Sequence, residues 1–242
     1  MSEPDFATIW VYLSTSPLLG LTVTLLAYSI AYRIYMRWDA NPLLSPVLVA
    51  IVILIGFLWL TNTSYETYFE GAQFVHFLLG PATVALAIPL YKQCDKLKRL
   101  WFPVSITIIS GAAIGVLSSV GIAGLLGASS QTQLSLAPKS VTAPVAMGIS
   151  EQIGGLPSLT AVLVVVTGII GAVMGTWLFS LMRIKDDDIK GIAMGIAAHG
   201  IGTARAFQVS SEMGAFSALA MALSAFATAV MLPWLLSALS IF

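Results

Sequence analysis

Ala197-Ala198-His199-Gly200-Ile201-Gly202-Thr203-Ala204-Arg205-Ala206-Phe207-Gln208 sets a histidine, an arginine, a threonine and two glycines inside an otherwise apolar run. The flanks, Gly191 to Ala198 and Gly214 to Phe242, suit hydrocarbon. A charge at such depth costs several kcal/mol even on lenient insertion scales, so it lines a cavity or meets a partner. The glycines loosen a helix there and free backbone N–H groups that can face an anion. The stretch therefore predicts a membrane scaffold built around a cation-bearing break.

Composition points the same way. Hydrophobic residues make up 58%, charged residues 9%, and the mean hydropathy is +0.93. A soluble domain carries roughly 25% charged residues, so the class is integral membrane protein, with the lipid bilayer as its first partner. The formal net charge is +0, which argues against a nucleic-acid partner. Cys94 is the single cysteine and forms no internal disulfide. Met1-Ser2-Glu3-Pro4-Asp5 is acidic, unlike the n-region of a cleaved signal peptide.

About six runs approach the ~20 residues a bilayer core requires. They are 17–35, 45–60, 72–91, 101–126, 157–182 and 215–239, with a shorter apolar piece at Phe6 to Leu13. The second ends at Trp59 and a polar loop with Glu66 and Glu70. Of the 11 cations, all but Lys139 and Arg205 fall at three sites: Arg33 and Arg37; Lys92, Lys96, Lys98 and Arg99; Arg183, Lys185 and Lys190. Placing those sites in the cytoplasm satisfies the positive-inside rule and leaves the N-terminus, Glu66 and Glu70 outside.

Lys139 and Arg205 occupy the two segments that do not read as ordinary spans. Pro138 to Gln152 is too polar and short to cross, and a re-entrant or broken helix keeps its neighbours' charge signs correct; an amphipathic surface loop is the plainer alternative. Gly191 to Ser211 is the second. Irregular backbone at membrane depth is tolerated where it lines a cavity. Gly80-Pro81-Ala82-Thr83-Val84-Ala85-Leu86-Ala87 resembles 200–207, and counting crossings gives the copies opposite orientation. Paired interrupted segments point to a transporter's midplane site. The repeat halves are 17–126 and 138–240.

Catalytic and metal motifs do not appear: no Gly-x-x-x-x-Gly-Lys, His-Glu-x-x-His or Gly-x-Ser-x-Gly. An enzyme, a cofactor and a metal site are therefore not expected. His76 reads as a packing or interfacial residue. His199 reads either as packed and hydrogen-bonded or as a proton-linked site residue. Glu151 suits the outer interface better than a proton relay, and Lys139 can snorkel to outer headgroups. Asp186-Asp187-Asp188 reads as a solvated loop capping the next segment. Arg205 is the residue whose functional reading outweighs its packing one.

Three stretches carry a resemblance. Pro138-Lys139-Ser140-Val141-Thr142-Ala143-Pro144 with Ile149-Ser150-Glu151-Gln152-Ile153-Gly154-Gly155, then 198–206, and 77–87 with Pro89-Leu90-Tyr91, resemble the signature stretches of the LrgB/CidB family. The similarity runs from about Pro42 to the C-terminus. It implies an antiholin-like modulator of murein hydrolase activity and cell lysis, acting beside a LrgA/CidA-like holin-like subunit. The family's plant relative, which fuses a LrgA-like half, implies glycolate/glycerate translocation, and bacterial relatives imply pyruvate or similar acids.

The expectation is an all-α polytopic membrane protein of a bacterial inner (plasma) membrane, an oligomer that transports small monocarboxylates by alternating access. Arg205 pairs with the carboxylate. His199, Gly200, Gly202, Thr203, Thr83, Pro81, Lys139, Ser140, Thr142, Pro144 and Glu151 complete the candidate substrate-binding set. The rival is a structural regulator that assembles with the holin-like partner and carries no solute.

Overall fold

The computed structural model describes residues 17–38, 41, 44–78, 81, 84–85, 88 and 91–238. Among these residues the chain forms nine helices. They are α1 (Pro17–Arg37), α2 (Pro46–Leu60), α3 (Tyr65–Phe77), α4 (Cys94–Leu125), α5 (Ser130–Leu136), α6 (Ala143–Gln152), α7 (Pro157–Leu181), α8 (Asp187–Val209) and α9 (Ser211–Ala238). Four are long and apolar enough to cross a membrane: Leu18–Arg37, Cys94–Leu125, Pro157–Leu181 and Ser211–Ser237. The protein is thus an all-helical, multi-pass membrane protein. α2 is apolar but only 15 residues long. The expected span at 72–91 lies partly outside the described residues, as do Phe6 to Leu13, Thr83 and most of the 80–87 repeat copy.

Two compact units divide the chain, Met1–Ala85 and Leu86–Phe242. In the first, α1 packs on α2 and α3 through small residues, with Ala27, Ala31 and Ala50 at the core. Thr24 and Tyr68 hydroxyls meet at 2.6 Å. Glu66 and Glu70 sit on the exposed side of α3 rather than in the expected polar loop. Glutamate is a good helix former, and its carboxylate reaches water from a helix as easily as from a loop.

In the second unit, α4, α7 and α9 are the long frame. Several Ser and Thr side chains of α4 bond back onto that helix: Ser105 donates to the Trp101 carbonyl at 2.8 Å and Thr107 to that of Pro103 at 2.8 Å. Such back-bonding makes a hydroxyl tolerable in hydrocarbon. α4, α9 and the first limb of α8 start at one end of the unit. There Lys96 Nζ lies 2.9 Å from Asp188 Oδ2 and 2.7 Å from Glu212 Oε1. The loop carrying Arg183 and Lys185, and Lys190 in the first turn of α8, lie at that same end, so two of the three basic clusters share it.

α8 is not a span. A straight helix of its 23 residues would be about 34 Å long. Instead, Ser210, just past its end, donates to Asp187 Oδ2 at its start, at 2.7 Å. A Cβ on Gly202 would stand 3.0 Å from the Met194 carbonyl oxygen, a pair some 12 Å apart in an unbroken helix. The reversal occurs at His199, where φ is 42° and ψ −132°. Each limb is roughly 15–18 Å long, about half of a ~30 Å hydrocarbon core. α8 is therefore a helical hairpin whose base lies at the basic end. The sequence reading expected the glycines to loosen the backbone, but the reversing residue is the histidine.

α5 and α6 form a second hairpin from the opposite end. Gly127, with φ 78°, closes α4, and Ser129 caps α5 by accepting from the Thr132 N–H at 3.3 Å. Pro138 to Thr142 makes the tip. Pro144 occupies the first turn of α6, where its missing N–H costs no hydrogen bond. The returning limb ends at Gly154, with φ 83°, and Pro157 starts α7. Ser135 ties the hairpin's base, accepting from the Leu156 N–H at 2.8 Å, while Thr160 donates to the Ser135 carbonyl at 2.9 Å. Pro138 to Gln152 thus folds back on itself, with its base tied to the start of α7.

Candidate functional site

The two tips reach the same level from opposite ends. His199 meets α7 at Val164 and Gly168, near the middle of that helix's 25 residues. The Pro138–Val141 turn shares a small cavity with Ala112 and Val116 of α4, Ile196 of the α8 hairpin, and Ser224 and Thr228 of α9. Its volume is about 10 Å³, room for about one water and none for an organic acid. The site is closed.

At the α8 tip, His199 is 4% exposed. Its Nε2 lies 2.9 Å from the Val164 carbonyl oxygen. A carbonyl only accepts, so Nε2 carries the proton and donates. Thr203, one turn on, donates to the His199 carbonyl at 2.8 Å and meets the Ser217 hydroxyl at 2.9 Å. Close approach makes this possible: a Cβ on Gly168 would stand 2.7 Å from His199 Cε1, and Gly171 and Gly175 lie equally hard against Ala198 and Met194. A stripe of small residues is how membrane helices let a neighbour's backbone in.

At the other tip, Lys139 Nζ donates to Ser140 Oγ at 3.1 Å. Thr142 is the N-cap of α6 and its hydroxyl makes no capping bond. The positive end of the α6 dipole thus points at the same level as the Lys139 charge.

The structure joins His199 and Thr203 at one tip, and Lys139 and Ser140 at the other. Arg205, two residues past Thr203, is about 200° round the helix, half-buried, and its Nη1 donates to Gln208 Oε1 at 3.1 Å. Gly202 packs against the first limb. Glu151 is exposed towards the end of α6, and Pro144 is exposed in its first turn. Pro81 lies exposed in the other unit, and Thr83 falls outside the described residues. Sequence reasoning missed Val164, Gly168, Ser217, Ser224 and Thr228. The spacing of Gly168, Gly171 and Gly175 was the available signal for the α7 face.

The aspartates differ from expectation. Asp186 takes the N-cap position of α8 without a side-chain bond. Asp188 is 6% exposed and paired with Lys96 rather than solvated, because three helix starts converge there. Asp187 is held below the usual carboxylate value first by Lys190, at 2.8 Å, and then by the Ser210 hydroxyl.

Comparison with known sequences fixes the kinship. The LrgB-like family model matches residues 24–238. The chain belongs to the LrgB-like family. A 220-residue stretch is 39% identical to the uncharacterized protein YwbG of Bacillus subtilis (strain 168), covering 91% of this chain and 97% of that one. The antiholin-like protein LrgB of Bacillus cereus (strain B4264) is 33% identical over 218 residues, 90% of this chain and 95% of the relative. A Bacillus anthracis protein of the same name is similar to the same degree. No solved structure matches this LrgB-like chain.

Proposed function

We propose that this LrgB-like protein moves small monocarboxylates, of the glycolate, glycerate, lactate or pyruvate class, across a bacterial plasma membrane by alternating access. The observation that carries the reading is the pair of hairpins from opposite ends that line one small cavity, through the Pro138–Val141 turn and Ile196. Non-helical backbone at membrane depth is characteristic of a solute path. The Lys139 ammonium and the α6 N-terminus supply positive potential at the tips, and the Ser140, Thr142 and Thr203 hydroxyls supply hydrogen bonds. His199 and the first N–H groups after it, at Gly200 to Gly202, line the other side. Arg205, further down the returning limb, receives the carboxylate on its way to the basic side. The cavity is too small for the solute, so one hairpin must withdraw from the other before binding.

A second reading rests on the relatives' name, antiholin-like protein. Here the chain regulates murein hydrolase activity by assembling with a LrgA/CidA-like membrane subunit, and the polar tips serve packing alone. Uptake of labelled glycolate, lactate and pyruvate into proteoliposomes containing only this chain separates the two. Saturable uptake of one acid, lost in Lys139→Ala, supports transport. Absence of uptake for all three in well-folded, oriented protein removes it.

A further inference from the structure

A second cavity, of about 390 Å³, opens at the basic end between the last turns of α7 and the base of the α8 hairpin. That volume lies in the range of small-molecule sites. Its chemistry is divided: Ile184 and Val209 give an apolar floor backed by the buried Phe179 and Met213, while Lys185, Lys190 and the Thr176 and Ser180 hydroxyls give a basic, hydrogen-bonding rim. Lys190 also holds Asp187 at 2.8 Å, and an ammonium has three protons to share. Trp177 and Leu181, on neighbouring turns of α7, are 58% and 64% exposed, as expected of side chains that face lipid near the interface.

We propose that this cavity binds the phosphate headgroup of an anionic phospholipid, its glycerol and upper acyl carbons resting on the Ile184–Val209 floor. A basic pocket between membrane helices at the positive end is the setting in which such headgroups bind. Zwitterionic lipid offers the same phosphate with a cancelling charge, and a soluble phosphate offers no apolar part to cover the floor. The lipid would brace the hairpin, because the rim includes Lys190 on its first limb and the floor includes Val209 at the end of its second.

Native mass spectrometry of the full chain in detergent, titrated with phosphatidylglycerol, phosphatidylcholine or glycerol 3-phosphate, tests this. Phosphatidylglycerol should remain bound where the other two do not. Lys185→Gln with Lys190→Gln should bind it roughly thirtyfold more weakly. Asp187→Asn, which removes the competing carboxylate and keeps the rim, should bind at least as well as wild type. Equal retention of both lipids, or undiminished binding by the double variant, would overturn the proposal. Binding of glycerol 3-phosphate without phosphatidylglycerol would assign the cavity to a soluble phosphate and overturn the lipid. Should the double variant fail to fold, Thr176→Cys in a Cys94→Ala background gives a second readout. Its labelling should be slower in phosphatidylglycerol nanodiscs than in phosphatidylcholine ones, and equal rates would overturn the site.

Discussion

Gly168→Ala should damage the α8 tip although alanine is the better helix former. Alanine gains up to about 1 kcal/mol over glycine inside a helix. At position 168, however, its Cβ would lie 2.7 Å from His199 Cε1, 2.9 Å from Nε2 and 2.9 Å from Ile201 Cδ1. The ring has no room to yield, being buried and bonded to the Val164 carbonyl one turn from the insertion. Overpacking of this kind costs about 1–3 kcal/mol, and loss of the His199 hydrogen bond adds about 1 kcal/mol. The net expectation is a destabilisation of about 1–3 kcal/mol, with uptake falling further because the tip is displaced. Gly121→Ala is the matched control, since nothing lies within 4 Å of a Cβ there; it should melt at or above the wild-type temperature. Thermal melts in detergent and uptake in proteoliposomes, on the same preparations, read both effects. A Gly168→Ala protein as stable and active as Gly121→Ala would refute the packing argument and the tip geometry with it.

Lys139→Ala and Arg205→Ala should each insert and fold yet lose roughly ten- to a hundredfold in apparent affinity for the carboxylate, the worth of one charge-assisted contact. Arg205→Lys should retain weak uptake with poorer discrimination; full activity of Arg205→Ala would end its role. In a Cys94→Ala background, Asp187→Cys and Ser129→Cys should label from opposite sides of the membrane, and same-side labelling would abolish the opposed hairpins. Asp187 has a lowered folded-state value, so its contribution is present above about pH 3.8 and is lost as pH falls through that lowered value. Asp187→Asn should flatten the acid limb of a melting-temperature profile; an unchanged limb would refute this. His199→Gly should relieve backbone strain and still melt lower, because the ring and its hydrogen bond go with it; a higher melting temperature would reverse that balance.

What was legible was chemistry that a bilayer makes conspicuous. Lys139 and Arg205 fall outside the three basic clusters, and each marks one of the two segments that turn out to be hairpins. Pro138 and Pro144 bracket a stretch too short to cross, and the long frame helices α4, α7 and α9 announce themselves by length. What was hidden depends on residues far apart meeting. Nothing local says that Asp187 will reach Ser210, and without that contact α8 reads as one interrupted segment rather than a closed hairpin. Asp188 looks like its two neighbours, and only the convergence of three helix starts on Lys96 buries it. Arg205 drew attention because a guanidinium in an apolar run is rare. Its helical phase, about 200° from Thr203, was equally legible once 200–209 is read as one helical limb.

The choice of histidine at position 199 follows from the competition at the tip. A φ of 42° with ψ of −132° matches the first central position of a type II′ turn, which glycine fills without strain. A histidine there costs about 1–3 kcal/mol. Glycine stands next door at 200, where the backbone does not need it. Two bonds offset the strain: Nε2 to the Val164 carbonyl, and the Thr203 hydroxyl to the His199 carbonyl. Each contributes about 1 kcal/mol net and more where water is excluded. Only the first requires the imidazole, and it joins the tip to the middle of α7. A glycine would make the turn easier and leave the tip untethered, and it would leave a hole against Gly168 where the ring now packs. The strain at His199 is therefore the cost of fixing the hairpin's position as well as its shape.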